Sequence, residues 1–161
     1  MGTMAGRSEG NRREHFRLKL EYPLCADMTI VLVKGRTMEI GSSKVLVQDI
    51  GARGLCFLSH LKMPASDQLV LQFEMKLCAV PLKIYGHVVR SRLWEQEFYE
   101  YGVFFTMDEI RHLEVSRLVN RLAIRYRQNR GITEGNYWKG DRQAFLRELA
   151  LVSQTLETIK A

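Results

Sequence analysis

No run of apolar residues in this chain approaches the roughly 20 needed to cross a bilayer as a helix. The opening residues, MGTMAGRSEGNRRE, lack the apolar segment of a secretory signal. No CxxC pair is present, which excludes a zinc ribbon and a dithiol redox centre. The 3 cysteines, Cys25, Cys56 and Cys78, stand far apart among apolar neighbours, as buried free thiols do. These absences predict a reduced, cytoplasmic protein. The sequence also has no Walker-type phosphate loop, and Ser42-Ser43 and Ser59 lack the setting of a nucleophile elbow. His15, His60, His87 and His112 share no ligand spacing and read as surface or strand residues. No metal and no catalytic residues are expected, so the chain does not read as an enzyme.

What is present is basic and patterned. The 161 residues carry a net charge of +6, which favours an anionic partner such as a nucleotide, a nucleic acid or an acidic membrane. The length suits one domain with an appended helix. Residues 1–11 are small, polar and basic and are expected to form a flexible leader. From Phe16 to Leu24 apolar and polar residues alternate, the period of a strand with one buried face. Further strands are predicted over 28–33, 37–48, 55–58, 69–76, 79–92 and 99–106, with a bulge at Gly86. Short strands at this spacing indicate an antiparallel barrel or sandwich.

After Thr106 the period becomes helical. Met107-Asp108-Glu109 opens a helix whose apolar stripe is Ile110, Leu113, Leu118, Val119, Leu122 and Tyr126, ending near Asn129-Arg130-Gly131. Residues 131–140 read as a linker; Trp94 and Trp138 read as packing residues first, with Trp138 in the linker as an alternative anchor for a partner. A second helix is expected from Asp141 to Ile159. Its residues Phe145, Leu149, Val152, Leu156 and Ile159 form a short a/d seam, read either as a second covering helix or as a homodimer contact, the spacing favouring the latter.

Two segments carry chemistry. Arg12-Arg13-Glu14-His15-Phe16-Arg17 offers guanidinium groups that can hold guanine O6 and N7, clamp a phosphate or stack on a base. Asp49-Ile50-Gly51-Ala52-Arg53-Gly54 offers a carboxylate acceptor for guanine N–H donors, and glycines that let backbone approach a ligand. Either segment alone is ordinary: a solvated basic leader in one case, a turn in the other. Arg53 reaches either a ligand phosphate or water.

Together, and in this order, they resemble the PilZ domain family, which pairs an RxxxR motif before the first strand with a [D/N]xSxxG motif between two later strands. Arg13 and Arg17 match the first motif, and Asp49, Gly51 and Gly54 the second. Gly86-His87-Val88-Val89-Arg90 and Tyr101-Gly102-Val103-Phe104-Phe105 are similar to the family's closing strands. The resemblance covers roughly residues 11–128. It implies a six-stranded antiparallel β-barrel followed by C-terminal α-helices, with cyclic di-GMP as the ligand and no metal. The expected divisions are a leader over 1–11, a barrel with closing helix over 12–130, and a linker with C-terminal helix over 131–161. The implied ligand-binding residues are Arg12, Arg13, Arg17, Asp49, Gly51 and Gly54, to which the reading of the turn itself adds Arg53. Arg12 is similar to members that hold a stacked pair of ligand molecules. The family's usual serine is Gly51 here, a lost hydrogen bond of about 0.5–1.5 kcal/mol. Output is implied to pass to a protein effector of the flagellar, pilus or polysaccharide machinery. The alternative is a degenerate domain acting as an interaction adaptor without nucleotide. Nucleic acid fits poorly, because the aromatics alternate inward rather than forming a stacking platform.

Overall fold

In the computed structural model, residues 17–33, 36–37, 42–128 and 137–160 are described. The strands are β1 (Arg17–Val33), β2 (Arg36–Thr37), β3 (Ser42–Gly51), β4 (Gly54–Ser59), β5 (Leu69–Leu77), β6 (Val80–Trp94) and β7 (Phe98–Phe105). Two helices follow, α1 (Glu109–Arg127) and α2 (Arg142–Lys160). All pairings are antiparallel in the order β2-β1-β3-β4-β7-β6-β5, and β1 also pairs with β5, which closes the sheet. The six-stranded barrel is thus as expected, with the two-residue β2 as an addition at the end of β1. The strands expected at 16–24 and 28–33 are one strand. It bends at a register shift between Lys19 and Leu24, which lets it pair with β3 over most of its length and with β5 near its end.

The barrel interior follows the period-two pattern. Along β5, Leu69, Leu71, Phe73, Met75 and Leu77 are buried while Glu74 and Lys76 are exposed. Phe57 sits at the centre, edge-on to Phe73 at 5.3 Å and tilted against Tyr101 at 5.2 Å. Tyr101 lies wholly inside, so its hydroxyl needs partners. It accepts from the Met63 amide at 2.7 Å and donates to the Leu61 carbonyl at 2.6 Å, which ties the loop before β5 to the core. Gly86 is not a bulge. A Cβ there would stand 2.6 Å from the Phe104 carbonyl, so glycine permits close packing of β6 on β7. The irregularity lies between Val88 and Arg90.

The α1 helix is capped by Asp108, whose side chain accepts from the Arg111 amide at 2.8 Å. Val115, Val119 and Leu122 join the barrel core. The expected stripe is rotated at its start: Ile110 and Leu113 are exposed, and His112 and Val115 are buried instead. His112 is therefore neither a surface nor a strand residue. Its Nδ1 lies 3.0 Å from the Ala52 carbonyl, and this tie to the barrel outweighs the apolar preference of the neighbouring positions.

The α2 helix lies on the outside of the barrel. Leu146 is fully buried against Leu46, Leu58 and Phe98, with Phe145, Leu149, Trp94 and Trp138 packed around them. Trp138 rests on Phe145 at 4.9 Å, and its amide bonds the Pro23 carbonyl at 2.8 Å. The first two seam residues, Phe145 and Leu149, thus face the chain's own barrel, while Leu151 and Val152 are exposed. No helix among the described residues is long and apolar enough to cross a membrane.

Candidate functional site

Arg17 is the first residue of β1 and stands opposite Gly51, the last of β3. Two residues along, Lys19 stands opposite Asp49. The sheet alternation turns Leu18, Leu20 and Ile50 toward the core, so Arg17 and Asp49 share the outer face. There the Arg17 Nη2 donates to Asp49 Oδ1 at 2.6 Å, both groups partly open to solvent. The two segments singled out in the sequence, 32 residues apart, therefore meet in one ion pair.

The other expected residues fall differently. Arg12 and Arg13 lie outside the described residues. Arg53 faces α1, its guanidinium 3.5 Å from Glu109, and its carbonyl accepts from the Phe105 amide at 2.8 Å. With the His112 contact to Ala52, this anchors the β3–β4 turn to the start of α1. Gly54 is required by packing: a Cβ there would collide with the Val103 carbonyl of β7.

The barrel face beside the Arg17–Asp49 pair is built by register. Asp49 pairs with Cys56, Cys56 with Gly102, and Gly102 with Arg90, one row that follows the barrel's curve across β3, β4, β7 and β6. Cys56 and Gly102 make a low floor. The Cys56 thiol is pushed up to about 12, by burial first and then by the Asp49 and Glu100 charges, with Arg17 and Arg90 opposing. It stays a neutral thiol at physiological pH. The next row, Leu46, Leu58, Glu100 and Arg92, runs up against α2. Here Glu100 accepts from Arg92 and, at 2.6 Å, from the Gln48 amide, and Arg142 of α2 donates to Gln48 at 2.7 Å. The result is an open face with Arg17 and Asp49 at one end, Arg90 at the other, and α2 as a side wall. Neither of two clefts elsewhere, of about 430 and 370 Å³, includes Arg17 or Asp49. No metal-binding group of side chains occurs among the described residues.

Sequence reasoning missed Cys56, Gly102, Arg90 and His112 as neighbours of this site. The first three were placed on strands, but only the register brings them into one row. His112 gave no signal beyond its helical phase.

The family model of the PilZ domain matches residues 11–121. Among solved structures, the chain is similar to the PilZ domain of CeSA from a cellulose-synthesising bacterium, at 14% identity over 67% of this chain and 98% of that one, TM-score 0.50. It is similar to YcgR of Escherichia coli in complex with cyclic di-GMP, at 12% identity over 73% of this chain and 49% of that one, TM-score 0.55. It also resembles the inhibitor of motility MotI of Bacillus subtilis, at 14% identity over 74% of this chain and 53% of that one, TM-score 0.53. The chain thus spans about half of the YcgR and MotI chains, and at these identities the likeness is one of fold. No curated protein matches the sequence.

Proposed function

Since this chain belongs to the PilZ domain family, we propose that it is a cyclic di-GMP receptor, a binding module without catalysis of its own. The observation that carries this reading is the Arg17–Asp49 pair at 2.6 Å on the barrel's outer face, next to Gly51. It joins the arginine segment to the DxGxxG turn, as a site assembled from both requires. Asp49 uses Oδ1 for Arg17, and among the described residues Oδ2 takes no hydrogen bond. That oxygen suits the N–H donors of guanine's Watson–Crick edge. Arg17 and Arg13 supply guanidinium forks for guanine O6/N7 and for phosphate. Arg12 is the residue for a second stacked ligand molecule. Arg53, turned to Glu109, contributes by holding the turn.

In this reading the ligand orders the arginine segment, and the altered surface is recognised by a protein effector of the motility, pilus or polysaccharide kind in the cytoplasm. YcgR binds cyclic di-GMP and MotI inhibits motility, which supports that class of output. Gly51 in place of serine lowers affinity by roughly tenfold without removing the charged partners.

Isothermal titration of the full chain with cyclic di-GMP is the test. Saturable binding is expected, more than about tenfold weaker in Arg17→Ala and tighter in Gly51→Ser. Absence of heat at high micromolar ligand sinks the reading. Gly51 and the docked α2 favour a second one, an adaptor that binds a protein partner and no nucleotide. A pull-down that survives deletion of residues 131–161 counts against it.

A further inference from the structure

The face built by the Asp49–Cys56–Gly102–Arg90 row has a charged group at each end, and the sequence motifs account for one end only. Arg90 follows the β6 irregularity, which returns it to the outer face, where it is exposed. Its guanidinium lies over the Gly102 backbone: a Cβ on Gly102 would be 3.1 Å from both Nε and Nη2. A side chain at position 102 would press on this group and shift it by a few tenths of an ångström.

The neighbouring guanidinium groups each have a partner within the chain. Arg17 holds Asp49, Arg53 faces Glu109, Arg92 holds Glu100 and Arg142 bonds Gln48. Among the described residues, no carboxylate lies within ion-pair distance of Arg90. Its fork is thus free to take acceptors from outside the protein. From Asp49 to Arg90 is three strand spacings, about 14 Å along the curved sheet. The Arg90 guanidinium leans back over Gly102 toward Cys56, which brings it within the reach of a ligand that extends from Asp49 across that floor.

We propose that Arg90 is a third arm of the nucleotide site, holding acceptor atoms of the second guanosine phosphate unit across the Cys56–Gly102 floor from Arg17 and Asp49. The inference rests on the cyclic di-GMP reading above and extends it to the residue that recognises the far half of the ligand. The acceptors are phosphodiester oxygens or guanine O6 and N7, both of which a guanidinium fork matches.

The experiment is titration of the full chain with cyclic di-GMP, comparing the unaltered protein with Arg90→Ala, Arg90→Lys and Lys76→Ala. Lys76 is exposed near the tip of the β5–β6 hairpin, remote from the row, and controls for loss of one positive charge. Arg90→Ala should weaken binding by about tenfold or more, Arg90→Lys should fall between, and Lys76→Ala should change nothing. Unchanged affinity in Arg90→Ala overturns the inference and leaves the receptor reading standing. An equal loss in Lys76→Ala assigns the effect to net charge and also overturns it. No binding by the unaltered chain overturns both. Arg90 is exposed and makes no ion pair among the described residues, so Arg90→Ala should unfold at the same temperature as the unaltered chain.

Discussion

Glu100 shows how a single side chain joins the parts of this molecule. Burial draws its carboxyl up. The hydrogen bond and charge of Arg92, the Gln48 amide and the Arg90 charge outweigh this, so it sits below the ordinary value of 4.5. A folded-state pKa below the unfolded one stabilises the fold fully above the unfolded value. That contribution is lost as pH falls through the folded pKa. Urea midpoints of the native chain should therefore drop between about pH 5 and pH 3. In Glu100→Gln the drop should be shallower, with lower stability at neutral pH. An unchanged slope in the variant would remove Glu100 from the account. The candidate site shows the same dependence on individual contacts. Arg17 and Asp49 were legible as candidates because their residue types are rare in that order. Arg90 was not, because one more arginine on a basic strand carries no signal until its register is known.

At the scale of elements, the period-two strands and the 3.6-period helices were readable almost throughout. The misreadings have physical causes. The β1 strand bends rather than breaks, since its far end must close on β5 while its start pairs with β3. The hairpin turns were legible from the breaks between strands rather than from their own residues, because no Asn-Gly signature marks them: Cys78 and Ala79 take left-handed backbone at φ 51° and 63°, Glu95 and Gln96 at φ 52° and 63°. The amphipathic α2 was legible as a helix, but not the surface it covers, because an a/d seam looks the same whether it meets a second copy or its own barrel. The helix docks through Leu146, and Leu146→Ala should cost about 2–5 kcal/mol of that docking. Because α2 lies outside the main core, the loss should appear locally. Amide exchange over 142–150 should rise about thirtyfold or more, while the barrel strands keep most of their protection. Loss of protection throughout the barrel would mean that α2 is integral to the fold.

At the scale of the whole molecule, a closed barrel leaves few free edges and presents a rigid outer face. A ligand bound there adds stability by mass action. Cyclic di-GMP at 100 times its Kd should contribute about 2.7 kcal/mol, a rise in Tm of about 5–10 °C for a chain of this size. At the same ligand concentration the rise should fall to about half or less in Arg17→Ala, whose fold is otherwise intact because the Arg17–Asp49 pair is solvent-facing and worth little to stability. A ligand-independent Tm in the native chain would contradict the receptor reading.

The sequence by itself determined the strand and helix periods, the basic charge, and the two segments whose order and spacing match the PilZ family. Those properties are local, or depend only on separation along the chain. The tertiary structure alone decided that Arg17 touches Asp49, that Arg53 faces α1, that His112 is buried beneath the turn, and that Arg90 closes the far end of the same row. Each of these depends on strand register and on which helix covers which face. A shift of one residue exchanges the two sides of a strand, so residue types alone cannot fix what only the closed barrel holds in place.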